Sequence, residues 1–83
     1  MTNKTSSIER KAEQAAQKHF EAYEHAQQLA VIHKGNTDAQ VSIFSREDGQ
    51  QTSVSFPLDQ DLEYCAQELL YRFGSTRKDI VYV

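Results

Sequence analysis

The chain has 83 residues and a mass of 9.5 kDa, which is enough for one domain with a thin, two-layer core. Its net charge of −3 and mean hydropathy of −0.68 exclude a strongly basic nucleic-acid packing protein and a membrane protein. The single cysteine excludes an internal disulfide. With no apolar signal segment at the start, these features predict a cytoplasmic protein that occupies one domain, residues 1–83.

The first predicted element is a long amphipathic helix over residues 7–34, after a flexible tail at residues 1–6 and before a stop at Gly35. Val31 and Ile32 fall off its apolar stripe, so the last turn is expected to fray or bend. The other apolar side chains recur at helical spacing and share one side of this helix: Ile8, Ala12, Ala15, Ala16, His19, Ala22, Tyr23, Ala26, Leu29 and Ala30.

Residues 39–56 alternate between apolar and polar side chains on both sides of Asp48 and Gly49. This period of two predicts a β-hairpin with one apolar face. A second amphipathic helix is predicted over 60–73, and the β-branched and aromatic segment 80–83 predicts a last short strand.

The predicted order α-β-β-α-β indicates a small α+β domain. A right-handed return from the hairpin would add the last strand in parallel, giving an antiparallel or mixed sheet of three strands. We expect both helices to pack on the apolar face of this sheet. The opposite face is polar and is expected to meet water, with Phe44 as its one large apolar side chain beside Gln40, Ser42, Gln51, Ser53 and Ser55.

No motif predicts catalysis, a cofactor or a metal site. His19, His25 and His33 are six and eight residues apart, so no two of them share a helix face one turn apart as a helical zinc pair requires. We expect His19 to be a packed histidine with one hydrogen bond; the alternative is a pH-sensitive contact between helices. Cys65 lies on the apolar stripe of the second helix and is expected to be buried and structural.

The length of the first predicted helix suggests self-association. A helix over 7–34 would be about 40 Å long, whereas the hairpin strands would span about 20 Å. The overhanging part would present small side chains that allow another helix to approach closely. The sequence therefore predicts a homodimer through this seam: Ala12, Ala15, His19, Ala22 and Ala26.

Two tyrosines predict a surface for a protein partner. Tyr64 and Tyr71 are seven residues apart and project from the second helix away from its apolar stripe. Glu68 and Arg72 lie beside them at the spacing of an i, i+4 ion pair. Exposed tyrosine and arginine are enriched at binding hot spots. We therefore predict partner binding at these four residues, together with Phe44 of the hairpin.

These features favour a small, non-enzymatic protein-interaction module: a regulator, adaptor or inhibitor that occupies a partner's surface. The first alternative is a nucleic-acid-associated regulator that uses the basic N-terminal helix. Residues 1–34 carry five cations and four anions, whereas residues 35–83 carry four cations and eight anions. Because phosphate binding needs concentrated cations, this balance makes the alternative the weaker one. The second alternative is a small enzyme or ligand-binding protein assembled at a dimer interface.

Overall fold

The computed structural model describes residues 7–83, and side chains from Arg10 onward. Two helices accompany a four-stranded mixed sheet of order β3-β2-β1-β4, in which β4 is parallel to β1 and the other pairs are antiparallel. This confirms the predicted α+β class, while the tail predicted at residues 1–6 lies outside the described residues. The elements are α1 (Ser7–Ala22), β1 (Gln28–Lys34), β2 (Asp38–Ser45), β3 (Gly49–Pro57), α2 (Leu62–Arg72) and β4 (Ile80–Tyr82).

The prediction of one helix over 7–34 is wrong in its second half. Helix α1 ends at Ala22, and Gln28–Lys34 forms β1, an interior strand of the sheet. Four consecutive residues of this strand, from Leu29 to Ile32, are buried. A strand that is covered on both faces has a continuous apolar run instead of an alternating one, so its pattern resembles that of a buried helix. The consecutive β-branched residues Val31 and Ile32 are the local sequence signal that favours a strand here.

The two helices lie on opposite faces of the sheet, so the prediction that both share one face is wrong. Side chains alternate along β1: Ala30 and Ile32 belong to the core under α2, whereas Leu29 and Val31 belong to the core under α1. Phe44 also lies under α1 and is only 4% exposed. The sheet face that was expected to meet water is therefore partly covered, because α1 packs over its apolar side chains Leu29, Val31 and Phe44.

The remaining elements follow their local signals. Strands β2 and β3 form the predicted hairpin, and the positive φ of Gly49 (79°) ends its turn. Asp61 caps α2 by accepting a hydrogen bond from the Tyr64 amide at 3.2 Å. Gly74, with a φ of 88°, lies just after the helix. Strand β4 then pairs with β1 instead of the hairpin, so β1 has a neighbouring strand on each side and a helix on each face.

Candidate protein-interaction surface

A groove runs between α2 and the edge strand β3. Helix α2 packs chiefly over β1, two strands away from β3. The apolar side chains that β3 directs to this face are therefore only half-buried. The groove has a volume of about 260 Å³. We call it the α2–β3 groove, and it is lined by Val54, Phe56, Tyr64, Cys65, Glu68, Leu69 and Arg72.

The structure brings three of the five predicted partner-binding residues into this groove. Tyr64, Glu68 and Arg72 form its helical wall, and Tyr64 is 59% exposed. Tyr71 is 52% exposed on the same helix but does not line the groove; its hydroxyl accepts a hydrogen bond from Gln67 Nε2 at 2.8 Å. The fifth residue, Phe44, is buried under α1 on the other face. The prediction that it is exposed to a partner is therefore wrong.

The two charged side chains of the groove wall, Glu68 and Arg72, do not form an ion pair with each other. Among the side chains described, the ion pair of Arg77 with Asp79 and the contact of His19 with Asp79 are formed, whereas the predicted pair between Glu68 and Arg72 is not. Both side chains are exposed. The guanidinium of Arg72 at the C-terminal end of α2 is thus available to a carboxylate from outside the chain.

The floor of the groove was not predicted as a surface. The alternation in β3 correctly places Val54 and Phe56 on the apolar face, but their exposure depends on where α2 lies across the sheet. Cys65 was expected to be buried, and it is instead half-buried in the groove wall. The thiol therefore lies where it could report on occupation of the groove.

The small side chains of α1 do not form the seam that was predicted for a dimer. At 16 residues, α1 is about 24 Å long and has no long overhang. Ala12 is packed against this chain's own sheet, and Ala26 is fully buried beyond the end of the helix. Ala15 is half-buried and Ala22 is exposed. The geometric reason for pairing through α1 is therefore wrong, while dimerisation itself stays a prediction.

His19, the fifth member of that seam, anchors α1 to the segment before β4. Its Nε2 lies 3.2 Å from Asp79 Oδ1, and its ring packs 4.7 Å from the ring of Tyr23. This is the packed histidine with one hydrogen bond that the sequence favoured. Arg77 Nε donates to Asp79 Oδ2 at 2.9 Å, and this bond raises the pKa of Arg77 above its ordinary value. The cluster thus compensates a buried carboxylate.

Arg46 closes the C-terminal end of α1. Its Nη2 donates to the carbonyls of Phe20 (2.9 Å) and Tyr23 (2.8 Å), and its Nε donates to the carbonyl of Ala26 (2.9 Å). The guanidinium also lies over the Phe20 ring at 5.1 Å. Helix ends leave carbonyls unpaired, and a cation suits the negative end of the dipole. No signal around Arg46 in the sequence indicates this role.

The cations of α1 are spread among acidic side chains. Arg10, Lys11 and Lys18 are exposed, but Glu13 and Glu21 lie on the same helix and are exposed as well. A shallow cleft of about 490 Å³ beside Val83 contains two of these lysines together with Glu21. This arrangement gives no concentrated cationic surface of the kind that binds phosphates.

Within residues 7–83, no cluster of three or more His, Cys, Asp or Glu side chains could hold a metal ion. The two described helices are too short or too polar to cross a membrane. Comparisons with models of known protein families, with curated proteins and with solved structures found no match for this chain. The geometry of the α2–β3 groove is therefore the strongest guide to function.

Proposed function

We propose that this chain is a non-catalytic protein-interaction module that binds a partner protein in the α2–β3 groove. The observation that carries the proposal is the half-covered apolar floor of Val54 and Phe56 beside a wall that contains Tyr64 and Arg72. Apolar surface in a concave site supplies binding energy, and tyrosine and arginine are the side chains enriched at hot spots. The module would act as a regulator, adaptor or inhibitor in the cytoplasm by occupying its partner's surface.

The dimensions of the groove fit an amphipathic helix of the partner. Neighbouring strands are about 4.8 Å apart, so β3 lies about 10 Å to the side of β1, over which α2 packs. Packed helices are about 8–10 Å apart. A helix that lies over β3 would therefore be at normal packing distance from α2. Its apolar stripe would cover Val54, Phe56 and Leu69, and an acidic residue near one end would pair with Arg72.

The nucleic-acid alternative has weaker support, because acidic side chains separate the cations of α1. The enzyme alternative needed a site at a dimer interface lined by His19 or Tyr64. His19 is already bonded to Asp79. Tyr64 lies on an open groove with an apolar floor, and no histidine is among the residues that line this groove. These arrangements favour binding over catalysis.

The test compares capture of partners by three forms of the tagged protein. The groove variant is Tyr64→Ser/Arg72→Glu, and the matched control is Gln17→Ser/Lys18→Glu on the exposed side of α1. We expect wild type and control to retain the same host proteins and the groove variant to lose them. With a purified partner, calorimetry should show the affinity of the groove variant falling by about thirtyfold or more. Equal affinity of all three forms would refute the proposal.

A further inference from the structure

The outer edge of β3 has no neighbouring strand among the described residues and carries no charged side chain. Strand β3 has nine residues, Gly49–Pro57, and no strand lies beyond it among the described residues. An edge strand leaves alternate N–H and C=O groups unpaired, and proteins usually guard such edges with charges, short strands or bulges. No residue of β3 is charged. The other edge strand, β4, is only three residues long and follows Arg77, Lys78 and Asp79.

A bulge limits the regular part of this edge to one segment. The register shifts between Ile43, which pairs with Thr52, and Phe44, which pairs with Gln50. The extra residue of β3 disturbs the strand only at its N-terminal end. Pro57, which has no N–H, ends the strand on the other side. The segment that is regular and able to pair is therefore 52–56, with Val54 at its centre.

We infer that two copies of this chain pair antiparallel through β3, about a two-fold axis at Val54. This pairing places each Thr52 beside Phe56 of the second copy and Ser53 beside its Ser55. Pairs of an aromatic with a β-branched side chain stabilise neighbouring strands. Two four-stranded sheets would then form one continuous sheet of eight strands.

The segment is complementary to itself in both polarity and charge. Val54 and Phe56 face the α2 side, whereas Ser53 and Ser55 are exposed on the other side. Antiparallel pairing about Val54 keeps this alternation, so Val54 meets Val54, the methyl group of Thr52 meets Phe56, and serine meets serine. With no charge on the strand, the copies meet without like-charge repulsion. These properties favour a second copy over a charged partner strand, and such an interface is isologous and closes as a dimer.

The pairing uses the backbone edge of β3, whereas the proposed function uses side chains above the sheet, so either one can fail without the other. In the dimer the two β3 strands would be about 4.8 Å apart, which is closer than two packed helices, so one partner helix would lie over both strands. The test measures the mass of the full chain by light scattering at high micromolar concentration. We expect a dimer, with twice the 9.5 kDa chain mass. Ser53→Lys/Ser55→Lys should weaken dimerisation by about tenfold or more, because it places lysines opposite lysines.

The control is Gln14→Lys/Gln17→Lys, which adds the same charge to the exposed side of α1 and should leave the dimer intact. Should the strand variant fail to fold, Val54→Cys in a Cys65→Ala background gives a second measurement. A short bifunctional thiol reagent should link the two copies at position 54, and Gln17→Cys in the same background should stay unlinked. Three results would each overturn the inference: a wild type that is monomeric, a dimer that the α1 control disrupts but the strand variant does not, or no crosslink at position 54.

Discussion

Arg46 offers the sharpest test of how this fold is stabilised, because its side chain bonds the Phe20 carbonyl in the last turn of α1 and the Tyr23 and Ala26 carbonyls in the turn that follows. Replacement by Ala removes these bonds and the contact with the Phe20 ring. The bonds to Phe20 and Tyr23 are exposed, so water replaces them, and we assign each about 0.5 kcal/mol. The bond to Ala26 is partly buried and contributes about 1–1.5 kcal/mol. The three hydrogen bonds contribute about 2–2.5 kcal/mol in all, and the exposed contact with the Phe20 ring, at about 0.5 kcal/mol, brings the expected loss to about 2.5–3 kcal/mol.

Urea denaturation followed by circular dichroism measures this loss directly. Arg46→Ala should lower the midpoint without changing the slope, since the fold and its buried area are otherwise kept. In a domain of this size, the melting temperature should fall by about 10–20 °C. Arg46→Lys should recover only part of the loss, because a single ammonium lacks the guanidinium fork. Arg72→Ala is the control, since Arg72 is exposed and forms no ion pair with the side chains described.

A free energy of unfolding for Arg46→Ala within about 0.5 kcal/mol of wild type would refute this reasoning. It would mean that water satisfies all three carbonyls as well as the guanidinium does. A comparable loss in Arg72→Ala would equally contradict it, because the effect would then follow from overall charge instead of the cap.

Three further predictions concern α2 and its surroundings. Tyr64→Ser/Tyr71→Ser should shift the melting temperature only slightly, since both rings are more than half exposed, while partner binding falls; unfolding would contradict this. Leu69→Ala should lower the free energy of unfolding by about 2–5 kcal/mol in urea titration, because it opens a cavity in the core; a loss under about 1 kcal/mol would place Leu69 outside it. Tyr82 is about half exposed, and its partial burial, together with the Glu63 carboxylate 3.2 Å from the Tyr82 hydroxyl, raises the pKa of Tyr82. The contribution of Tyr82 to stability is therefore present below about pH 10, the ordinary tyrosine pKa, and is lost as the pH rises through the raised pKa. Ultraviolet titration should show one tyrosine that ionises late in the wild type and is missing in Tyr82→Phe. If no tyrosine ionises late in the wild type, the contact between Tyr82 and Glu63 is contradicted.

The sequence predicts those elements whose signals are local. The β2–β3 hairpin follows from alternation around Gly49, and α2 follows from helical spacing that ends near Gly74. Strand β1 was missed because both of its faces are covered, which removes the alternation that identifies a strand. The turn between α1 and β1, residues 23–27, contains no Gly or Pro, and its stabilising partner Arg46 lies far away in the chain.

In the candidate site too, the part that depends on local signals could be predicted from the sequence, and the part that depends on long-range packing could not. Helical phase is enough to expose Tyr64, Glu68 and Arg72, so the wall of the groove was predictable. The exposure of Val54 and Phe56 depends on the position of α2 across the sheet, which is set by long-range packing on β1. A period of two shows which face a strand residue occupies, but it does not show whether a helix reaches that far.

The width of the sheet explains why both proposed surfaces lie on β3. Four strands at about 4.8 Å spacing are about 19 Å wide, whereas one helix covers about 10 Å. With one helix on each face, both lying chiefly over β1, cover is lost toward β3 on both sides. On the α1 side, the uncovered residues are the hydroxyl-bearing Ser53 and Ser55, which water can satisfy. On the α2 side they are Val54 and Phe56, which gain no such compensation from water. Val54 and Phe56 pack against the core with only part of their surface, and the apolar part that stays exposed favours a partner over β3.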